Sequence, residues 1–262
     1  AAAKYYLGLC YYYGYGTEKN GRMAYENFAQ TANERSQAMC MLGLCCLNGV
    51  GTDKNEKIAF KCFETAAERG SNVAQGYLGK CYYFAYGTNK NLDKAINCFD
   101  KAAANNDIES EFMLGVCYQE KRQKEEAIRH YKKAAENGHK RAKNFLEYFQ
   151  LSKKGISDNN LERFKLLFSN GINMAKKDII DFLYSRRRYE ELETICLENK
   201  WFSELTDKYF NDVLAWTSIT KLQTYDRTIK WLNKAKALGY NNADDEIIKA
   251  NEKFKKIELM FG

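Results

Sequence analysis

The sequence contains no proline in 262 residues, whereas an ordinary protein contains about 5%. This absence excludes collagen, proline-rich linkers and loops shaped by proline. Histidine is almost absent, with two residues, and no apolar run approaches the roughly 18 residues that a membrane-spanning helix needs. The net charge of +7 is small for this length and does not by itself require an anionic partner. What remains, 45% hydrophobic and 29% charged residues, is the composition of a folded globular chain.

A leucine-glycine pair recurs about every 36 residues, and a cysteine follows each leucine by three positions. The pairs are Leu7-Gly8, Leu42-Gly43, Leu78-Gly79 and Leu114-Gly115, with Cys10, Cys45, Cys81 and Cys117. A second segment then carries an alanine and an aromatic residue four positions apart: Ala24 and Phe28, Ala59 and Phe63, Ala95 and Phe99, Ala127 and Tyr131. Apolar residues three and four apart predict two helices per unit, and small residues let the helices approach closely.

The two helices of each unit are separated by turn residues. Glycines end the first helix, whereas Asp53 and Asp93 lie near the start of the second helix, where a carboxylate can cap the free amides. Each unit closes on Gly70, Asn106 or Gly138. A small residue, Ala74, Ser110 or Ala142, opens the next unit four positions later. One such hairpin cannot bury its own apolar stripe, so neighbouring hairpins must stack.

The motifs Ala-x3-Leu-Gly, Gly-x-Gly and Ala-Ala-x2-Gly-x3-Ala resemble the Sel-one-like repeat (SLR), a relative of the tetratricopeptide repeat. The resemblance covers residues 1–141 as four clear repeats. It implies an all-α fold, a right-handed α-solenoid of about seven antiparallel helical hairpins. The family supplies non-enzymatic adaptors, so the resemblance implies a protein or peptide partner and no cofactor, metal or small-molecule substrate.

Residues 142–262 continue the register with divergent hairpins and a polar capping helix from about Ala243 to Phe261. The small residues that open each unit fall at 3, 38, 74, 110, 142, 175, 210 and 243, where Phe210 fits least well. This register predicts one solenoid that is continuous with the first four repeats. A second partition places the end of the solenoid near residue 150 and a separate helical domain after it. The sequence leaves both partitions open.

Nine cysteines raise the question of a disulfide or metal site. There is no Cys-x-x-Cys, and His130 and His139 do not stand at metal-ligand spacing. Two pairs share a spacing of 17 residues, Cys45 with Cys62 and Cys81 with Cys98, which keeps disulfides within a repeat as an alternative. We expect free thiols that fill the core, and therefore a cytoplasmic protein. The chain begins Ala1-Ala2-Ala3-Lys4, which is neither a signal peptide nor a methionine start, so secretion or a periplasmic location stays open.

An enzyme is the first alternative function, because cysteine-rich bacterial relatives have been linked to hydrolase or penicillin-binding activity. Ser218-Ile219-Thr220-Lys221 matches Ser-x-x-Lys, and Ser157-Asp158-Asn159 matches the second motif of serine β-lactamases. Their order is reversed relative to those enzymes, Lys-Thr-Gly is absent, and no strand is predicted. These departures favour a protein without enzymatic activity.

A binding surface is better supported, because 14% of the residues are aromatic and 19 are tyrosine. The first helices of tetratricopeptide-like solenoids line the concave face. The resemblance implies that this face carries Tyr5, Leu9, Tyr12, Leu44, Lys80, Tyr83, Phe84, Gln119, Tyr148, Lys177 and Tyr184. Tyrosine offers a large apolar area, a hydroxyl and little loss of conformational entropy, so exposed tyrosines beside lysines suit a peptide-binding groove.

Nucleic-acid binding is the second alternative. Residues 121–143 hold nine lysines and arginines against three glutamates, and Arg186-Arg187-Arg188 adds a second basic cluster. Glu125, Glu126 and Glu136 are interleaved with the lysines at helical spacing. This pattern favours a solvated helix surface over an aligned nucleic-acid interface.

Overall fold

The computed structural model describes residues 2–201, 203–205 and 218–261, of which 218–224, 253 and 256–261 are described by their backbone. Every regular element in these ranges is a helix, which confirms the predicted all-α class. The chain divides into two compact units, Ala1–Gln150 and Leu151–Gly262.

The first unit consists of helical hairpins in sequence order. Its helices are α1 Ala2–Tyr13, α2 Gly21–Thr31, α3 Ser36–Asn48, α4 Glu56–Glu68, α5 Asn72–Phe84, α6 Leu92–Ala103, α7 Ile108–Glu120 and α8 Lys124–Glu136, followed by α9 Lys140–Lys154, which runs past the boundary. From α1 to α8, each odd-numbered helix packs against the even-numbered helix that follows it, and α2, α4 and α6 pack against the next odd-numbered helix. The four predicted repeats are therefore four stacked hairpins.

A glycine and an aromatic ring hold each of these hairpins together. The rings of Phe28, Phe63, Phe99 and Tyr131 are fully buried. A Cβ atom added to Gly8, Gly43, Gly79 or Gly115 would lie 2.7, 2.8, 2.6 or 2.6 Å from the ring of the paired helix. Real Cβ atoms do not approach so closely, so the recurring glycine is the residue that lets the aromatic side chain lie directly on the first helix.

Asparagine side chains cap the second helices of the first three repeats. The Oδ1 atoms of Asn20, Asn55 and Asn91 accept hydrogen bonds from backbone N–H groups three residues later, at 3.0, 3.0 and 2.9 Å. The prediction of a cap by Asp53 or Asp93 is wrong. Asp53 precedes the cap, and Asp93 lies inside the first turn of α6. The asparagine caps because it immediately precedes the helix, where an extended backbone turns its side-chain oxygen toward the free N–H groups.

The turns between repeats have the conformation that the sequence predicts. Gly70, Asn106 and Gly138 have φ angles of 82°, 64° and 90°, in the left-handed region that glycine and asparagine tolerate best. The residues that follow them, Ser71, Asp107 and His139, accept a hydrogen bond from the backbone N–H three positions later. The chain therefore reverses direction and caps the next helix in one step.

The second unit contains further helices. They are α10 Leu161–Ser169, α11 Met174–Ser185, α12 Tyr189–Asn199, α13 Ser218–Ala237 and α14 Ala243–Phe261. Helix α11 packs against α10 and α12, and α13 packs against α14. Ala175 and Ala243 are fully buried, as are Ala38 and Ala74 in the first unit. Phe210, the predicted mark of least fit, lies outside the described residues.

The nine cysteines are free thiols in the structure, and eight of them are buried. Cys10 in α1 is half-buried. The pairs Cys45 and Cys62, and Cys81 and Cys98, are unbridged. Burial raises the pKa of the Cys45 and Cys81 thiols to about 12, so these thiols stay protonated and act as small apolar side chains.

Candidate functional site

The residues predicted to face a groove all lie on odd-numbered helices. Tyr5, Leu9 and Tyr12 lie on α1, Leu44 on α3, Lys80, Tyr83 and Phe84 on α5, Gln119 on α7, Tyr148 on α9, and Lys177 and Tyr184 on α11. Phe84 and Lys177 are exposed, Tyr148 is buried against Phe149, and the others are half-buried. Tyr148 therefore offers little contact surface. We use the name first-helix face for the surface of α1, α3, α5 and α7 in the first unit.

Two clusters of three aromatic rings stand at the C-terminal ends of α1 and α5. We call Tyr12, Tyr13 and Tyr15 the first aromatic triplet, and Tyr83, Phe84 and Tyr86 the second. In the first triplet, successive ring centroids are 4.9 and 5.3 Å apart; in the second, they are 4.7 and 5.4 Å apart. In both triplets the first contact is edge-on and the second is stacked at 25°. The two triplets are thus copies of one arrangement.

Three of the four outer rings of the triplets are open to solvent, and the fourth, Tyr86, is half-buried. Tyr13, Tyr15 and Phe84 are 45%, 65% and 48% exposed. The predicted groove did not include Tyr13, Tyr15 and Tyr86. The sequence pattern that indicates them is the pair of aromatic residues six and eight positions after both Leu7 and Leu78. The second and fourth repeats carry Leu47-Asn48-Gly49-Val50 and Gln119-Glu120-Lys121-Arg122 at the same positions. The aromatic triplets therefore alternate with repeats that lack them.

The inner tyrosine of each triplet is held by the next first helix along the chain. The Asn48 side chain of α3 hydrogen-bonds the Tyr12 hydroxyl, and Glu120 of α7 accepts a hydrogen bond from the Tyr83 hydroxyl. Burial and the charge of Glu120 raise the pKa of Tyr83 to about 12. Lys90 lies 5.1 Å from the Tyr83 ring centroid and 2.6 Å from Glu120. These contacts hold the two inner tyrosine rings in place.

A row of polar contacts joins Lys80 in the C-terminal half of α5 to the N-terminal ends of α7 and α9. Lys80 Nζ lies 3.4 Å from Glu109 Oε1, and His139 Nε2 lies 3.1 Å from Glu109 Oε2. The His139 ring stacks on Phe112 at 4.3 Å. Burial alone would raise the pKa of Glu109, but the hydrogen bond with His139 and the charge of Lys80 outweigh it, and the pKa lies below its usual value. Glu109 is therefore an ionised carboxylate at neutral pH.

Of the residues that match enzyme motifs, Ser157 and Asp158 make structural contacts. Ser157 donates its backbone N–H to Asn160 Oδ1 at 2.7 Å, and the Asp158 carboxylate binds Arg188. The side chains of Ser218 and Lys221 lie outside the described residues. Within the described ranges, three metal-ligating side chains do not come together at any point.

Three of the nine basic residues in the stretch 121–143 pair with carboxylates. Lys121 lies 2.8 Å from Asp93, Lys133 lies 2.7 Å from the buried Glu111, and Arg129 pairs with Glu126. Arg188 of the second basic cluster pairs with Glu191 and Asp158. None of the helices in the described residues is both long and apolar enough to span a membrane.

Stacked two-helix units with glycine-aromatic crossings and an aromatic first-helix face define a helical-repeat protein. The Sel1 repeat family matches residues 1–35, 36–71, 72–107, 108–139 and 225–240, which together are more than half of the chain. The chain belongs to the Sel1 repeat family. The match at 225–240 falls on α13, where the register predicts a late repeat.

Solved structures agree with this assignment. A Sel1 repeat protein from Oxalobacter formigenes is 29% identical, with a TM-score of 0.56 over 68% of this chain and 74% of that chain. The protein c5321, a protective antigen of uropathogenic Escherichia coli strains with an SLR fold, is 16% identical, with a TM-score of 0.59 over 98% of this chain and 66% of that chain. The second likeness shows the fold alone. No curated protein sequence matches the chain.

Proposed function

We propose that the protein is a non-enzymatic adaptor that binds a segment of a partner protein along the first-helix face. The observation that carries this proposal is the pair of matching aromatic triplets, three of whose four outer rings are exposed while their inner rings are held. Exposed aromatic residues dominate the energy of protein interfaces, and rings that are already ordered lose little entropy on binding. The Sel1 repeat family supports a protein-interaction scaffold.

The test is capture of partners by the intact chain, followed by measurement of the affinity of each partner for matched variants. Phe84→Ser removes a ring that is 48% exposed on the first-helix face, and Ile58→Ser removes a side chain that is 49% exposed on α4. We expect Phe84→Ser to weaken binding about tenfold or more and Ile58→Ser to leave the affinity unchanged. Equal loss in both variants, or loss in Ile58→Ser alone, would place the contact elsewhere.

We also propose that the protein works in a reducing compartment, such as the cytoplasm. Eight buried free thiols support this location, because an oxidising compartment favours disulfides. The intact mass of protein purified without reductant should correspond to nine free cysteines. A loss of mass equal to two disulfides would instead support the pairs Cys45 with Cys62 and Cys81 with Cys98.

A further inference from the structure

A cavity of about 370 Å³ opens on the first-helix face between α5 and the turn that joins α6 to α7. Helix α5 contributes Gly76, Tyr77 and Lys80 to its wall. The opposite wall comes from Asn105, Asn106, Asp107 and Glu109. The cavity therefore lies across the junction of the third and fourth repeats, beside the polar row of Lys80, Glu109 and His139.

Gly76 opens this cavity. The equivalent positions in the other first helices of the unit carry larger residues, Tyr5, Cys40 and Phe112. Glycine inside a helix is less stable than alanine, and Gly76 is in the interior of α5. A Cβ atom here would lie 3.1 Å from both Asp107 Oδ2 and Ser110 Oγ, which is tight but not forbidden, so packing is a weak reason for glycine at this position.

The wall chemistry combines an aromatic face with two carboxylates. The Tyr77 ring is held by stacking on Phe63 at 5.2 Å. Asp107 accepts hydrogen bonds from Ser110 through Oδ2, and the ionised Glu109 is shared between Lys80 and His139. Lys80 is the sole cation in the wall, and its Nζ atom is 3.4 Å from Glu109, beyond ordinary hydrogen-bond length. The wall thus has more negative than positive groups in a protein whose net charge is +7.

We propose that this cavity binds a basic side chain of the partner segment, arginine in preference to lysine. The aliphatic stem of the arginine would lie on Val73, which also lines the cavity, and on the Tyr77 ring in the place of Lys80, whose Nζ atom is 5.5 Å from the ring centroid. Its guanidinium would donate to the carboxylates of Asp107 and Glu109. A planar guanidinium has five donors and stacks on aromatic rings, whereas an ammonium is a compact and strongly hydrated charge. The proposal rests on the proposed adaptor function, because it assigns one subsite of the same face.

The second unit contains a cavity whose wall likewise has two carboxylates and one cation. It has a volume of about 520 Å³, and its wall includes the aromatic rings of Phe164 and Phe182, the carboxylates of Asp178 and Asp181, and one cation, Arg186. Asp178 and Asp181 lie on α11, which is a first helix by register. The same chemistry therefore recurs on a first helix in each unit.

The experiment titrates N-acetyl-arginine amide into the isotope-labelled intact chain and follows the backbone amide resonance of Gly76. N-acetyl-citrulline amide has nearly the same shape without charge, and the lysine and glutamate analogues complete the series. We expect a saturable shift with arginine, a weaker one with lysine, and none with citrulline or glutamate. An equal response to citrulline, or a response to glutamate alone, would overturn the proposal.

Three variants test the named groups. Glu109→Gln should weaken arginine binding about tenfold, the usual size of a hydrogen bond to a charged group. Glu125→Gln is the matched control, because Glu125 holds the same second position of α8 and should change nothing. Lys80→Gln removes the competing cation and should strengthen binding several-fold, a gain that misfolding does not produce.

The outcomes separate this proposal from the adaptor function. If Phe84→Ser abolishes partner binding but arginine produces no shift, the adaptor function stands and the basic-residue subsite fails. If arginine binds as expected but partner binding ignores Phe84→Ser, the first-helix face of the adaptor proposal fails. Weakening of arginine binding by Lys80→Gln would also overturn the subsite, because it would make Lys80 a ligand group rather than a competitor.

Discussion

The repeats of the first unit and the α11–α12 hairpin of the second unit carry opposite residue types at two register positions. In the first unit, the first helix contributes a glycine and the second helix a large ring, as in Gly79 and Phe99. At the same register positions, α11 and α12 carry Ile180 and Cys196, and both side chains are buried. The large residue has moved from the second helix to the first.

This exchange shows which property the repeat requires. Each crossing needs one large and one small apolar residue, because close-packed cores tolerate exchanges that conserve volume better than changes in total volume. The Gly-aromatic version gives the recognisable sequence motif, whereas the Ile-Cys version does not. The residues at these two positions of α11 and α12 are therefore buried although the Gly-aromatic motif is absent there.

The largest expected effect comes from breaking one crossing in each unit. Phe99→Ala removes a fully buried ring and should lower the free energy of unfolding by about 3–5 kcal/mol. Cys196→Ala removes one sulfur atom, and we expect a loss of about 1 kcal/mol. Urea denaturation followed by far-UV circular dichroism measures both losses.

Tryptophan fluorescence separates the two units, because all three tryptophans lie between residues 201 and 231. Cys196→Ala should shift the fluorescence transition. Phe99→Ala should shift mainly the part of the dichroism transition that occurs at lower urea concentration. Phe84→Ala, which removes an exposed ring, is the control and should stay within about 0.5 kcal/mol of the parent protein. A larger loss from Cys196→Ala than from Phe99→Ala would contradict the comparison.

The second prediction converts one crossing into the other. Gly79→Ile alone overpacks the Phe99 ring and should cost about 1–3 kcal/mol. Combined with Phe99→Cys, it recreates the pair found in the second unit. The free energy of unfolding of the double variant should be about 0.5–3 kcal/mol higher than the value expected if the two single losses were additive. This is the range of interaction energies observed for residues in contact. Additive losses would show that the crossing geometry, and not the volume, requires glycine.

The third prediction compares caps within the first unit. Asn91 caps α6 through its side chain, whereas Gln123 precedes α8 without a side-chain cap. Asn91→Ala should therefore lower the free energy of unfolding by about 1 kcal/mol. Gln123→Ala should leave it nearly unchanged. Equal losses in the two variants would mean that the Asn91 hydrogen bond adds nothing beyond the turn itself.

The all-α class and the four hairpins of the first unit could be predicted because their signals are local. Leucine-glycine pairs, turn glycines and alanine pairs each report a contact within one repeat. The choice of Asn55 over Asp53 as the cap could not be made from composition, since both residue types cap helices and two positions separate them. The choice of cap depends on the residue at which the loop ends. The close approach of neighbouring loops decides this end point, because a Cβ atom on Gly51 would lie 2.0 Å from the Gly21 carbonyl oxygen.

The candidate site was predictable only in part. Helical register places Tyr12, Tyr83 and Phe84 on first helices, and the structure keeps them there. Tyr15 and Tyr86 lie in loops, where helical register does not predict the direction of a side chain. The sequence therefore could not predict that they stack on Tyr13 and Phe84. The sequence also could not predict the cavity at Gly76, because the cavity depends on the absence of one side chain and on a turn about 30 residues away along the chain.

The last prediction is a difference in alkaline stability between the two units. Eight cysteines lie in the first unit and one in the second. Burial raises the pKa of Cys45, Cys81 and Cys117 to about 12, whereas an unfolded cysteine has a pKa of about 8.5. Their contribution to stability is complete below about pH 8.5 and declines as the pH rises toward 12, because the unfolded chain then loses protons that the folded chain retains. Raising the pH from about 8 to about 10 should therefore shift the dichroism transition in urea to lower concentration more than the tryptophan transition, and Cys81→Ala should reduce that difference. An equal shift of both transitions, unchanged by Cys81→Ala, would show that the buried thiols do not control it.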